Sequence, residues 1–454
     1  MTKFRRLVEI VLIAGLVVLT ACTSKSNYAS VEEEISSRCS QKASACNVLA
    51  GSSTNSVASG IDGATIAGGG LVGSPNRVNG DNGTVGGGEG NTAGEGSTVA
   101  GGSGNTALYF HATVGGGANN FAVAHEATVG GGLKNTASGR FATVGGGATN
   151  LADSFYATVS GGSGNTASFN FATVGGGTLN QASSEASVVS GGNYNLAQGA
   201  YSAISGGINN TAGGNTAAIG GGAGNMAGGM YAVIPGGFAN QAAGDYCFAA
   251  GRKAIVNADH PGVCLFADSK NFNFSSFAPN EFAVRATGGV RFITAIDSSG
   301  NSLSGVRLSP GSGSWDSLSD ATAKDGFASV EGYQILEQLD SIPISTWYYR
   351  GEDPSIRHIG PTAQDFYAAF HLGQDGHYIS TVDEEGIALA AIQELYQLIR
   401  QDQTQCRIAP LSGDSILRGQ VASLRSQLTI SNWLAATALL TAILALWRSK
   451  KKTA

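Results

Sequence analysis

Ala142-Thr143-Val144-Gly145-Gly146-Gly147-Ala148-Thr149-Asn150-Leu151-Ala152 is one turn of a pattern that occupies the middle of the chain. Val or Ile returns every 15 residues at Val114, Val129, Val144, Val159, Val174, Val189, Ile204, Ile219 and Ile234, each followed two and three positions later by Gly-Gly. Asn keeps the same period from Asn105 to Asn240, with Ala always two residues on. A unit this short cannot bury a core alone, so successive units must stack, each serving as a wall for the next. β-Branched residues at a fixed place suit short strands, and the glycines suit corners with positive φ. Small inward residues imply a thin coil, and one Asn per coil can build a ladder of amide hydrogen bonds along the stack. A flexible Gly/Ser linker has no reason to keep Val, Asn and Ala in phase, and the Gly runs lack the Lys-Ser/Thr that a phosphate-binding loop requires.

The remaining composition narrows the function. Gly numbers 68 of 454 residues and charged residues are 13%, against roughly 7% and about 25% in ordinary globular chains. A net charge of -6 gives no basic footprint, so no nucleic-acid partner is expected. Six cysteines (Cys22, Cys39, Cys46, Cys247, Cys264, Cys406) include no Cys-x-x-Cys spacing, so neither a metal nor a cofactor is expected. Lys3, Arg5 and Arg6 before the apolar run Ile10 to Leu19 have the form of an export signal, and Leu19-Thr20-Ala21-Cys22 that of a lipoprotein signal with Cys22 as the lipidated residue. Exported cysteines tend to pair, which predicts disulfides Cys247–Cys264 and Cys39–Cys46. Near the C-terminus, Leu428 to Trp447 is almost free of charge and is followed by Arg448-Ser449-Lys450-Lys451-Lys452; about 20 such residues suffice to cross a bilayer, and the basic tail puts residues 448–454 in the cytoplasm. Leu417, Val421, Leu424 and Leu428 follow a spacing suited to a short coiled coil.

The coils from about Gly60 to Ala258, including Tyr246-Cys247-Phe248-Ala249-Ala250-Gly251-Arg252-Lys253-Ala254, resemble the head repeats of trimeric autotransporter adhesins. That resemblance implies three chains winding side by side as a left-handed β-roll. The 15-residue unit and the lack of an outer-membrane β-barrel depart from the family.

Beyond residue 258 the repeat stops. Three motifs follow: Ser319-Asp320-Ala321-Thr322-Ala323-Lys324, Arg357-His358-Ile359-Gly360-Pro361-Thr362-Ala363-Gln364-Asp365-Phe366, and Asp383-Glu384-Glu385-Gly386-Ile387-Ala388-Leu389-Ala390-Ala391-Ile392. Together they resemble the intramolecular chaperone domain of phage endosialidase tail spikes, with Ala321 standing where that family usually has a basic or amide residue. The resemblance implies a domain that trimerises, assists folding of the fibre ahead of it and is released by a serine-lysine dyad, here Ser319 and Lys324; attack of Ser319 on the carbonyl just before it would cut Leu318–Ser319, with the adjacent bond as the alternative. A serine hydroxyl needs a base to take its proton, and a lysine can be that base only when desolvation lowers its pKa, so Lys324 is expected to be partly buried. His358, with no partner visible in sequence, reads as structural.

The expected fold is mostly β: a trimeric β-roll solenoid of 15-residue coils, then a small α+β trimeric chaperone domain, a short coiled coil and one transmembrane helix. Its segments are a lipoprotein signal peptide (1–21), a linker (22–59), head repeats (60–258), a β neck (259–318), the self-cleaving chaperone domain (319–401), a linker with the short coiled coil (402–427), the membrane span (428–447) and the tail (448–454). The expected function is that of a homotrimeric, adhesive or structural surface fibre held in the cell envelope by lipid and span, facing an unidentified receptor. Its C-terminal domain acts once as a serine-lysine endopeptidase on its own chain. The alternative is an uncut tethered fibre whose C-terminal domain only trimerises. A chaperone has a purpose here because near-identical coils specify strand register poorly between chains.

Overall fold

The computed structural model describes residues 45–408 and 415–450. The chain divides into two units between Val290 and Arg291. The first is a β-solenoid. Each coil gives one two-residue strand to each of two parallel sheets: Thr143–Val144 pairs with Thr128–Val129 below and Thr158–Val159 above, and Leu151–Ala152 with Thr136–Ala137 and Thr166–Ala167. A third edge carries single bridges, such as Leu133 to Ala148 to Ser163. The same ladders take in Val48–Leu49 at one end and Phe282–Arg285 at the other.

Side chains alternate along a strand, so Val144 and Ala152 point inward and are fully buried, as is Ala142. The inward Asn150 is buried too, and a buried amide is costly unless it is hydrogen-bonded. Its Nδ2 donates to the Gly146 carbonyl (2.8 Å) and the Gly162 carbonyl (2.9 Å), while its Oδ1 accepts from the Asn165 N–H (2.9 Å). Repeated coil after coil, these contacts make the expected amide ladder. Glycine is required at the corner: Gly147 has φ +88°, and a Cβ there would lie 2.1 Å from the Gly162 carbonyl oxygen.

The opposite turn uses positive φ without glycine. His111, Glu126, Phe141, Tyr156, Phe171, Ala186, Tyr201, Thr216, Tyr231 and Tyr246 occupy one place per coil with φ between +48° and +60°. Bulky residues avoid this region unless their surroundings impose it. Here the constraint is a bond between coils: the Tyr156 N–H donates to the Arg140 carbonyl (3.1 Å) and the Phe171 N–H to the Phe155 carbonyl (2.9 Å).

At the end of the stack Asp268 accepts from the Thr287 amide (2.9 Å), the Thr287 hydroxyl (2.7 Å) and the Arg285 guanidinium (2.8 Å). These donors, Thr287 first, hold its carboxyl well below the usual carboxylate range.

From the boundary onward comes a three-stranded sheet of β1 (Val290–Ile296, its first residue the last of the solenoid unit), β2 (Ser302–Leu308) and β3 (Trp315–Ser317), β2 and β3 antiparallel. Then come α1 (Gly332–Ser341), the hairpin-like pair β4 (Ser345–Trp347) and β5 (His358–Gly360), α2 (Ala363–Phe370), α3 (Thr381–Ile408) and α4 (Ser415–Lys450). Ile335, Ile342, Phe366, Phe370, Ile387 and Ala391 form its small core.

Several expectations require correction. The solenoid core is closed by one chain: its Val, Ile, Ala and Asn columns are buried between successive coils of the same chain, so burial of the coils supplies no ground for the trimeric β-roll, the trimeric chaperone domain or the homotrimer. Among the described residues no helix is long and apolar enough to cross a membrane. The described side chains of α4 interleave Ser423, Arg425, Ser426, Ser431 and Asn432 with the apolar residues. The transmembrane helix at 428–447 is thereby withdrawn, along with the membrane-anchored placement and the cytoplasmic tail argued from it. The stretch from Leu417 to Leu428 and the segment after it form one continuous helix, α4. Cys247 and Cys264 are free thiols, not the expected disulfide. Cys264 faces Phe248 in the ladder, while the Cys247 thiol donates to the carbonyls of His260 (3.2 Å) and Asp245 (3.4 Å). Cys46 is disulfide-bonded; Cys39, expected as its partner, lies outside the described residues, as do Cys22 and the signal segment.

Candidate functional site

Ser319 sits just beyond β3. That strand is held against β2 by the pairs Val306 with Ser317, Arg307 with Asp316 and Leu308 with Trp315. The Leu318 N–H donates to the Gly305 carbonyl (2.9 Å), holding the Ser317–Leu318 peptide against β2. Arg307 Nε donates to Asp316 Oδ2 (3.1 Å), and the Ser309 hydroxyl donates to the same oxygen (2.9 Å). The Ser309 hydroxyl first, and Arg307 second, lower the Asp316 pKa.

After Ser319 the chain makes one 3₁₀ turn, Ala321–Ala323. Asp320 starts it as an N-cap: its Oδ1 accepts from the Thr322 N–H (2.8 Å) and the Thr322 hydroxyl (2.6 Å). These two bonds lower the Asp320 pKa and keep it an acceptor. The Lys324 N–H closes the turn on the Ala321 carbonyl (3.3 Å). The turn swings Lys324 back over Ser319, and Lys324 Nζ donates to Ser319 Oγ at 2.7 Å. The two residues that the sequence singled out therefore touch. Beside them is a cleft of about 430 Å³ lined by Arg291, Ile293, Gly305, Arg307, Leu318 and Ser319.

Two features differ from the sequence reading. Ser319 and Lys324 are both exposed, whereas a lysine base was expected to be partly buried. Asp320 was not singled out as a positioning residue, although Asp followed two places on by Thr is a recognisable signal for a side chain that caps its own turn.

His358 belongs to a different cluster. Its Nε2 lies 2.9 Å from Glu352 Oε2, and its ring packs on Trp347 (4.8 Å) and Tyr349 (5.6 Å). The bond to His358 lowers the Glu352 pKa. No contact among the described residues joins His358 to Ser319, in keeping with a structural histidine. The described residues contain no group of His, Cys, Asp and Glu that could hold a metal ion.

Residues 319–372 match the peptidase family described as chaperone of endosialidase. The match starts at Ser319 itself and takes in the turn, α1, the β4–β5 pair and α2. No curated protein matches the chain.

Proposed function

We propose that this chain is a structural or adhesive β-solenoid whose C-terminal unit assists its folding and then detaches by self-cleavage at Leu318–Ser319. The observation that carries this reading is the 2.7 Å contact between Lys324 Nζ and Ser319 Oγ, at the first residue of the family match. In the reaction, neutral Lys324 takes the hydroxyl proton of Ser319. Oγ attacks the Leu318 carbonyl carbon, the Leu318–Ser319 C–N bond breaks, and Lys324 returns the proton to the departing Ser319 nitrogen. The product is an ester between Leu318 and Ser319 Oγ. Water hydrolyses it, leaving a Leu318 carboxylate and a new N-terminus at Ser319. The bond from the Leu318 N–H to the Gly305 carbonyl holds the Ser317–Leu318 peptide, one peptide before the attacked bond.

An uncut solenoid is the second reading, and the exposure of Ser319 and Lys324 favours it, because a lysine is activated as a base by desolvation. Electrophoresis of the expressed full chain, with mass spectrometry of the C-terminal product, decides. The self-cleavage reading expects a fragment beginning Ser319-Asp320 and its loss in Ser319→Ala and Lys324→Ala. Lys324→Arg is expected to fail as well, since a guanidinium is not deprotonated in proteins. Cleavage of Ser319→Ala at the wild-type rate overturns the dyad, and an intact wild-type chain establishes the uncut reading.

A further inference from the structure

The positive-φ turn stacks its side chains into a column on the outside of the solenoid. Where consecutive coils carry rings, the rings lie face to face: Phe141 on Tyr156 at 4.7 Å and 6°, Tyr156 on Phe171 at 5.5 Å and 11°, Tyr231 on Tyr246 at 5.2 Å and 13°. Tyr156 is thus held between two rings, one strand step to either side. At Ala186 the ring is missing, but the backbone is not interrupted. Ala186 keeps φ +48°, its N–H donates to the Asn170 carbonyl (2.9 Å), and the Tyr201 N–H donates to the Glu185 carbonyl (2.8 Å). The ladder runs on in register from Val174 to Val189 to Ile204. Phe171 and Tyr201 are therefore two strand spacings apart, roughly 9–10 Å, the same two steps that separate Phe141 from Phe171 with Tyr156 between them. The column has a vacancy one ring thick, floored by the Ala186 methyl. Tyr201 is 60% exposed against 44% for the sandwiched Tyr156, and no ring packs on it among the described residues.

The rim of this slot is polar. Glu185 and Asn170 are exposed and lie in the chain beside Ala186 and Phe171. Asn170 Oδ1 accepts from the Ser154 hydroxyl of the preceding coil (2.8 Å), and its NH₂ has no partner among the described residues. The Glu185 carboxylate has no partner among the described residues. Aromatic faces above and below, with a charged acceptor and an amide donor at the open edge, match a ring with apolar C–H faces and a hydroxylated perimeter. A phenyl ring would fill the gap without using either polar group.

We propose that the slot between Phe171 and Tyr201 binds a terminal pyranose residue of a glycan, inserted edge-on, with its C–H faces on the two rings and its hydroxyls on Glu185 and Asn170. This proposal is independent of self-cleavage. The next gap, at Thr216 between Tyr201 and Tyr231, has no carboxylate at its rim: Asn215 Oδ1 accepts from the Ala200 N–H (3.2 Å). It serves as an internal comparison.

The test is saturation-transfer NMR on the full chain with the methyl β-pyranosides of glucose, galactose and N-acetylglucosamine, and with N-acetyl-tyrosinamide as the aromatic probe. At least one pyranoside is expected to receive saturation on its ring protons. That signal is expected to be lost in Ala186→Tyr, which fills the slot with a ring that neighbouring coils already accommodate at the same φ, and in Tyr201→Ala. Glu185→Gln is expected to weaken it. Circular dichroism of each variant verifies that the solenoid is intact. The proposal is overturned if no pyranoside is saturated, if saturation survives Ala186→Tyr, or if only N-acetyl-tyrosinamide depends on the slot, which would make the occupant an aromatic peptide side chain.

Discussion

Replacing Asn150 by Ala tests whether the amide ladder, rather than the thin apolar core, holds the coils in place. The substitution removes donations to the Gly146 and Gly162 carbonyls and the acceptor for the Asn165 N–H. The Gly162 carbonyl keeps a second donor, the Ala148 N–H (2.9 Å). The Gly146 carbonyl and the Asn165 N–H have no other partner among the described residues. One buried orphan, the Asn165 N–H, and one part-buried, the Gly146 carbonyl, at about 1–3 kcal/mol each give a local loss of about 4 kcal/mol. Stability in a solenoid is a sum over neighbouring repeats, so the loss is local and a single unfolding midpoint is a poor readout. Amide hydrogen exchange at Asn165 reads it directly: about 4 kcal/mol corresponds to roughly a thousandfold faster exchange, with amides several coils away unchanged. Asn150→Asp is expected to be worse, because a carboxylate keeps the acceptor but faces two carbonyl oxygens with no proton to offer. Exposed Thr149→Ala serves as the control. Exchange at Asn165 within a few-fold of wild type in Asn150→Ala would refute the reasoning and leave the Val and Ala columns as the cause of coil order.

Asp320→Ala removes the N-cap of the turn that carries Lys324, so self-cleavage is expected to slow without stopping, while Asp320→Asn, which still caps, stays close to wild type; time-resolved gels separate the two. Asp268 supplies a pH test. Its carboxyl is held below the ordinary aspartate range, so its contribution is present above about pH 4, the unfolded value, and is lost progressively as pH falls further towards its folded value. Exchange of the Phe282–Arg285 amides is expected to accelerate below that pH in the wild type, and Asp268→Asn is expected to flatten the dependence.

What could be read from the sequence follows from how local each cause is. The coils with one Val, one Asn and one Ala at fixed phase were legible because every such residue is inward in every coil. The coils at either end were not, since Val48 pairs with Thr65 and Thr65 with Thr84, steps of unequal length that hide the period. The ring column was in the sequence as well, at the same 15-residue spacing, but its meaning needed the turn to be seen at positive φ. Residues close along the chain gave poor guidance across it. Cys247 and Cys264 belong to adjacent coils, yet Cys247 occupies the inward column and Cys264 pairs with Phe248, and a disulfide needs facing Cβ vectors as well as proximity. The apolar segment near the C-terminus misled for the opposite reason: composition suggested a span, whereas the membrane criterion applies to one continuous apolar stretch of helix.

Ser319 and Lys324 mark the limit of both readings. Six residues of sequence contain the whole arrangement, and a single capped turn is enough to bring Nζ onto Oγ. Proximity alone does not make Lys324 a base, because a lysine is activated for that role by desolvation. Desolvation of that one side chain is the missing step, and it cannot come from the turn, which has no buried residue of its own. Under the proposed self-cleavage it would have to come from packing over the cleft beside Leu318. The timing of the cut would then follow a packing event rather than the chemistry of the dyad, which is the order a folding aid requires if it is to leave only after its work is finished.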